Sequence, residues 1–186
     1  MASKKHYIIT SLTLGAVAAG SAALIGVTNL VTKDQIVKNE KNKINAGIME
    51  IYGKSATISQ EFALDGYKYS EYAYTIKSDD SAEDVAIRTT GSNMYGKISL
   101  IVGFRMMILP EKGTESLERY VFVGLYIVTN EQTYASTLEE NYIDPLNDKD
   151  VQLDDVSCGA TYGAKLVRDM VNEAQEAAAS DFRKGE

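Results

Sequence analysis

Tryptophan is absent, cysteine and histidine occur once each, and proline occurs only at Pro110 and Pro145 in 186 residues. A single cysteine, Cys158, excludes an intrachain disulfide and a thiolate-rich metal site. The lone His6 stands too near the N-terminus to belong to a folded site. A histidine-based triad, a histidine-ligated zinc and axial histidine haem ligation are thereby excluded. Positive charge is scarce beyond Lys43, where 13 lysines and arginines face 24 aspartates and glutamates, a balance of −11. Nucleic-acid affinity comes from neutralised phosphates, so this balance argues against a nucleic-acid partner. It argues equally against close binding to anionic lipid surfaces. No long run of like charge marks a disordered tail, apart from the short end at residues 180–186. No carboxylate pair has a diagnostic spacing and no nucleophile–base pair includes histidine, so a hydrolase is a poor reading.

One long apolar run is present. Residues 8–31 carry no charge over 24 positions, and as a helix they would span about 36 Å, enough to cross a bilayer with tilt. Small residues such as Gly15, Ala19, Ala22 and Gly26 fill its middle and would let another helix approach closely. A cleaved signal peptide is the rival, but its apolar region usually covers only about 7–15 residues. The sole cysteine is far away, so there is no lipoprotein signal. Lys4 and Lys5 precede the run and Lys33, Lys38, Lys41 and Lys43 follow it, so charge counting leaves the orientation open. The expected division is a short N-terminus over residues 1–7, a transmembrane helix over 8–31, a polar helical stalk over 32–53 and a folded domain over 54–186. Ile36, Ile44, Ile48 and Ile51 fall near one stripe of the stalk, and Gly53 is its stop signal.

The rest predicts an α+β domain, an antiparallel sheet with packed helices. Tyr67, Tyr69, Tyr72, Tyr74 and Ile76 read as alternating strand positions with one irregularity. They form a tyrosine-lined sheet surface or, less simply, a stacking surface for a flat ligand. Residues 78–84 read as an acidic loop, and residues 85–89 as a short strand. Gly91, Ser92, Asn93, Met94, Tyr95 and Gly96 form a turn-rich hexapeptide. Residues 97–104 and 120–128 are strongly apolar strands and predict an antiparallel core pair. Pro110 and Gly113 mark a loop or hairpin insert between them. Residues 130–138 read as a loop, followed by a short amphipathic segment with Tyr142, Ile143 and Leu146. Residues 162–179 predict a final helix, because Ala164, Val167, Met170, Val171 and Ala174 recur at steps of three and four.

The most specific stretch precedes that helix: Asp155, Val156, Ser157, Cys158, Gly159, Ala160 and Thr161. A glycine-rich turn into a helix is a generic anion site, since free N–H groups and the macrodipole favour a phosphate there. A bland reading makes it a tight turn with Thr161 as a helix cap. Yet the stretch resembles the flavinylation motif of the FMN-binding domain in the G subunit of Rnf complexes and the C subunit of sodium-pumping NADH:quinone oxidoreductases. In that family an aspartate stands six residues before a threonine preceded by a small hydroxyl residue, Gly and Ala, and the threonine carries FMN as a phosphoester. Asp155, Gly159, Ala160 and Thr161 match, while Cys158 replaces the usual Ser or Thr. Tyr95 and Gly96 resemble the family's glycine-aromatic-glycine turn, although a plain hairpin entry is the alternative. Glu131 and Leu138 correspond to the ends of a second flavin loop, from which the family's Pro and Gly are missing here.

The resemblance implies a covalent flavoprotein with FMN on Thr161. It implies an electron-carrier subunit of an ion-translocating ferredoxin:NAD oxidoreductase complex of the Rnf type, not catalytic alone. The family's partners would be other membrane subunits and a flavin transferase, with the flavin domain outside the cytoplasm and the N-terminus inside. The length suits the G subunit better than the longer C subunit. Two alternatives stand beside this. One is a free-standing flavinylated domain for extracellular electron transfer; the other is an anchored interaction domain whose flavin site has decayed. Cys158 would be a stand-in for serine or a redox-active neighbour of the flavin.

Overall fold

The computed structural model describes residues 4–78, 84–110 and 116–182. The chain divides into two compact units, Met1–Asn42 and Lys43–Glu186. The expected N-terminal segment 1–7, the acidic loop 78–84, the turn with Gly113 and the charged end 180–186 fall wholly or partly outside the described residues.

The first unit is helical throughout its described length, as part of the long helix α1 (Lys4–Tyr52). Its apolar side chains, among them Leu12, Leu14, Val17, Leu24 and Ile25, are exposed. The hydroxyls of Thr13, Thr28 and Thr32 donate to the carbonyls of Ile9, Leu24 and Thr28 at 2.9, 2.8 and 2.6 Å. Each is thus satisfied inside the helix, as an apolar surrounding would require. Among the described residues this is the one helix long and apolar enough to cross a membrane.

The second unit is a five-stranded antiparallel meander in the order β1-β2-β3-β4-β5. Its strands are β1 (Thr57–Ala63), β2 (Ser70–Lys77), β3 (Asp84–Asn93), β4 (Gly96–Pro110) and β5 (Ser116–Asn130). The α+β expectation and the central pair β4–β5 hold. The pair is longer than the sequence suggested. Strand continues through Pro110 and from Ser116, with Met106 opposite Tyr120, so the insert is an extended hairpin. Tyr67 and Tyr69 lie outside the strands, and the irregularity falls between Ser70 and Tyr72 of β2.

Alternation along the strands supplies two cores. Ala73, Val85, Ile87, Leu100, Val102 and Phe104 face one side, whereas Tyr74, Ile76, Ala86 and Ile101 face the other. The second face is covered by the end of α1 through Ile44, Ile48 and Tyr52; Ile36 of the expected stripe is exposed. Helix α1 stops at Gly53, whose φ of +99° favours glycine. The Tyr52 hydroxyl accepts from the Phe104 amide at 2.8 Å and donates to the Val85 carbonyl at 2.8 Å. A Cβ on Gly103 would come within 2.9 Å of that hydroxyl.

The first face is covered by α4 (Thr161–Asp181). All five residues of its anticipated stripe, from Ala164 to Ala174, are fully buried. Three short turns precede it: α2 (Ala135–Leu138), a π-helical turn (Glu139–Ile143) and α3 (Asp144–Asn147). The expected loop over residues 130–138 is therefore partly helical and ends on the buried Leu138, and Tyr142, Ile143 and Leu146 of the amphipathic segment that follows are buried too. At the open edge of β5, the Asn147 side chain takes the place of a neighbouring strand. Its Oδ1 accepts from the Leu125 amide at 2.8 Å and its Nδ2 donates to the Leu125 carbonyl at 2.9 Å. Unpaired edge groups are a template for aggregation, and this side chain satisfies one such pair.

Candidate functional site

The site is built where three connections meet: the β3–β4 turn, the segment after β5, and the entry to α4. The first is a two-residue hairpin in which Asn93 pairs with Gly96. Gly96 has φ +136°, and a Cβ there would run into the main-chain carbonyl of Glu131. Only glycine allows that approach. The two connections are then sewn together. The Glu131 amide donates to the Lys97 carbonyl at 2.8 Å, the Thr133 amide to the Tyr95 carbonyl at 2.7 Å, and the buried Gln132 side chain donates from Nε2 to the Gly96 carbonyl.

The third connection is the motif itself. Gly159 has φ +84°, which turns the chain into α4. Ala160 is the N-cap residue and offers no side-chain cap, and the Ala164 amide bonds back to the Ala160 carbonyl at 3.0 Å. Thr161 is therefore the first residue inside the helix, not its cap. The first-turn amides of an α-helix have no partner within the helix, and here no capping side chain takes them. Side chains of the π-helical turn steady the approach. The Asn141 Nδ2 donates to the Cys158 carbonyl at 3.3 Å, and the Tyr142 hydroxyl donates to the Leu153 carbonyl. Burial pushes the Tyr142 phenol above its ordinary pKa.

Together these segments line a half-open cavity of about 300 Å³. That lies at the low end of the roughly 300–1,000 Å³ usual for ligand pockets. Five of the residues singled out from sequence line it: Tyr95, Leu138, Gly159, Ala160 and Thr161. Four others do not. Gly96 and Glu131 form the stitched backbone beside Tyr95. Asp155 is exposed, with its amide donating to the Gln152 carbonyl at 2.9 Å, and Cys158 is half-buried beneath the turn. The structure adds Gln132, Tyr134, Tyr162 and Gly163 to the lining. A Cβ on Gly163 would come within 2.9 Å of Leu138 Cδ2, so the helix start sits directly on the pocket floor. Gln132 and Tyr134 belonged to the loop that departs from the family pattern, and Tyr162 looked like the first residue of a helix; no spacing rule joins these to a cavity.

The lining suits a ligand with an anionic end and a flat apolar part. The start of α4, with the Thr161 hydroxyl, lines the cavity together with the rings of Tyr95, Tyr134 and Tyr162 and with Leu138. That is the chemistry of FMN. Among the described residues no group of three or more histidine, cysteine, aspartate or glutamate side chains could hold a metal.

Comparison with known families gives one match. Residues 1–51 match the model of the RnfG N-terminal region. This supports an RnfG-type subunit family and, with it, a subunit of an Rnf complex. The apolar helix and this match together suggest a membrane anchor. No curated protein matches the chain.

Proposed function

We propose that the chain is a membrane-anchored flavoprotein that carries electrons within an Rnf-type, redox-driven ion-translocating complex, with FMN joined to Thr161 by a phosphoester. One observation carries this reading. The residues picked out by the motif, Gly159, Ala160 and Thr161, and the residue picked out by the separate turn, Tyr95, line one and the same cavity.

Each residue then has a physical task. Thr161 supplies the hydroxyl oxygen. In the attachment step that oxygen bonds to the FMN phosphorus of FAD, the pyrophosphate linkage breaks, AMP leaves and the hydroxyl proton is lost to solvent or to a base of the transferase. Gly159 gives the modifying enzyme access by leaving the turn without a side chain. The uncapped first turn of α4 stabilises the negative phosphate, as helix N-termini do by about 0.3–1 kcal/mol at exposed sites. Leu138 and Gln132, both buried, supply part of the lining. When bound there, FMN supplies one- and two-electron transfer, and the protein sets its position and surroundings. The anchor, the other Rnf membrane subunits and an external flavin transferase complete the proposal, with the domain on the extracytoplasmic side.

The test is in-gel flavin fluorescence after full denaturation, on chain co-produced with an active flavin transferase. The wild type is expected to give a fluorescent band, and Thr161→Ala and Thr161→Val are expected to be dark. A dark wild type, with the transferase active on another acceptor, would overturn covalent attachment and leave an anchored interaction domain.

A further inference from the structure

A second half-open cavity, of about 210 Å³, is lined by Lys68, Tyr69, Thr90, Gly91, Ser92 and Lys97. It shares no lining residue with the first. It arises where the sheet narrows. Strand β2 begins only at Ser70, opposite Thr89, whereas β3 and β4 stay paired as far as Asn93 and Gly96. The last residues of β3 therefore have β4 on one side and only the loop before β2 on the other. The Thr90 amide donates toward that loop, to the Tyr69 carbonyl at 2.8 Å. One residue further the loop is drawn to α4, since the Lys68 amide donates to Glu173 at 2.9 Å. Alternation along an antiparallel strand points the Ser92 amide to the same side as that of Thr90. Among the described residues no strand faces it there.

The side chains around this open edge are positive, in a unit that is acidic as a whole. Lys97 comes from β4 and Lys68 from the loop, and both are exposed. Neither makes an ion pair among the described residues. The Lys68 Nζ is set over the Tyr69 ring, 4.6 Å from its centroid. Two carboxylates of α4, those of Asp169 and Glu173, stand near Lys68. Both are engaged elsewhere: Asp169 pairs with Arg168 at 2.8 Å, and Glu173 accepts from the amides of Lys68, Tyr69 and Ser70. The Thr90 hydroxyl is bonded to that of Ser99 at 3.1 Å, whereas the Ser92 side chain is exposed. Like charges lining one cavity repel each other, and an anion between them removes that repulsion.

We propose that this cavity is a second binding site, for a small oxyanion of the phosphate class, held by the ammonium groups of Lys68 and Lys97 and by the Ser92 amide and hydroxyl. Four donors that converge from a loop and two strands suit a tetrahedral anion with an oxygen for each. A planar carboxylate is matched best by the fork of an arginine, and no arginine lines the cavity. Lysine acts as a point charge, which phosphate accepts from any direction. The site is independent of Thr161 and of any flavin. Its occupant joins the loop before β2 to the end of the β3–β4 pair, two segments that the main chain links only through Thr90 and Tyr69.

The experiment is calorimetric titration of inorganic phosphate into the full chain, as Thr161→Ala, in a detergent without a phosphate headgroup. Ionic strength is held constant with sodium chloride, because screening would otherwise change along the titration. Lys68→Gln and Lys97→Gln are compared with Lys54→Gln, which removes the same charge outside the cavity. Thermal unfolding without phosphate checks that each variant is folded. The expected result is saturable binding that Lys68→Gln and Lys97→Gln each weaken about tenfold or more, and that Lys54→Gln leaves within twofold. Acetate should bind several-fold more weakly than phosphate. Glycerol phosphate is the second arm. Tighter binding than inorganic phosphate would support the site with an organic phosphomonoester as its ligand, and weaker binding would support it with the free ion. No saturable binding would overturn the proposal. So would binding indifferent to both cavity lysines, as expected of phosphate held at the start of α4, or an equal loss in Lys54→Gln, which would show only the net charge. Acetate binding as tightly as phosphate would overturn the phosphate class.

Discussion

Glu173 of α4 reaches across to the loop before β2, where its Oε1 accepts a hydrogen bond from the Tyr69 amide at 2.7 Å. The amides of Ser70 and Lys68 complete the cradle at 2.8 and 2.9 Å. A carboxylate held by three main-chain donors fastens a loop whose Leu64, Tyr67 and Tyr69 also pack against the core.

That cradle predicts a pH dependence. Burial alone would raise the Glu173 pKa, but the hydrogen bonds from Tyr69, Lys68 and Ser70 outweigh it and hold the carboxyl below its usual 4.5. A folded-state pKa below the unfolded one gives stability that is present above the unfolded value. It is lost as pH falls through the folded value. Thermal unfolding from pH 7 to pH 3 should therefore show a fall below about pH 4.5 that Glu173→Gln reduces. An identical pH profile in the variant would show that the cradle contributes nothing.

Two glycines of positive φ make a matched pair. At Gly159 an added Cβ meets only Thr137 Cγ2, at 3.4 Å, whereas at Gly96 it meets the main chain of Glu131. Gly159→Ala should cost about 1 kcal/mol, the left-handed strain alone. Gly96→Ala should cost distinctly more, about 2–3 kcal/mol, because a backbone must move. Urea midpoints of the two variants give the comparison, and equal losses would contradict it.

Asn147 stands in for a sixth strand. Asn147→Ala strips the Leu125 amide and carbonyl of their partners and should lower stability by about 1–3 kcal/mol. Asn147→Asp keeps the acceptor but loses the donor to the Leu125 carbonyl, and should fall between. Chemical denaturation orders the three proteins.

Cys158 lies below the turn and outside the cavity lining. Its contribution to the turn is its main-chain carbonyl, which Asn141 holds. Cys158→Ser should therefore leave covalent flavin loading unchanged and alter stability by less than about 1 kcal/mol. A several-fold change in loading would give the thiol a role of its own.

Much of this architecture is legible in the residues. Helix α4 is legible because its five stripe positions repeat at helical steps and all five are buried. The central strands are legible because residues 97–104 and 120–128 are almost wholly apolar. The strand β1 is not, since its side chains are mostly exposed and it has no buried face to write a pattern. Arg105, Met106 and Met107 end the apolar run, so nothing in the residues shows that the pairing extends as far as Pro110 and Ser116. At the site, motif residues consecutive in sequence were found by their order. Gln132, Tyr134 and Tyr162 are joined only by the fold, and nothing in their spacing announces a shared cavity.

The meander pairs each strand only with its neighbour in sequence, and the chain's last long helix closes the remaining face. During synthesis from the N-terminus, hairpins can form as they emerge, since their pairings are local. The cavity cannot, because its wall at Thr161 belongs to the final helix, whose Ala164, Val167 and Met170 must seat before the first core closes. The Thr161 hydroxyl therefore comes into position only after the strands have formed and α4 has seated. Under the proposed attachment, a transferase that recognises the assembled turn would act on folded molecules and pass over nascent ones, so that the cofactor would become a mark of completed folding.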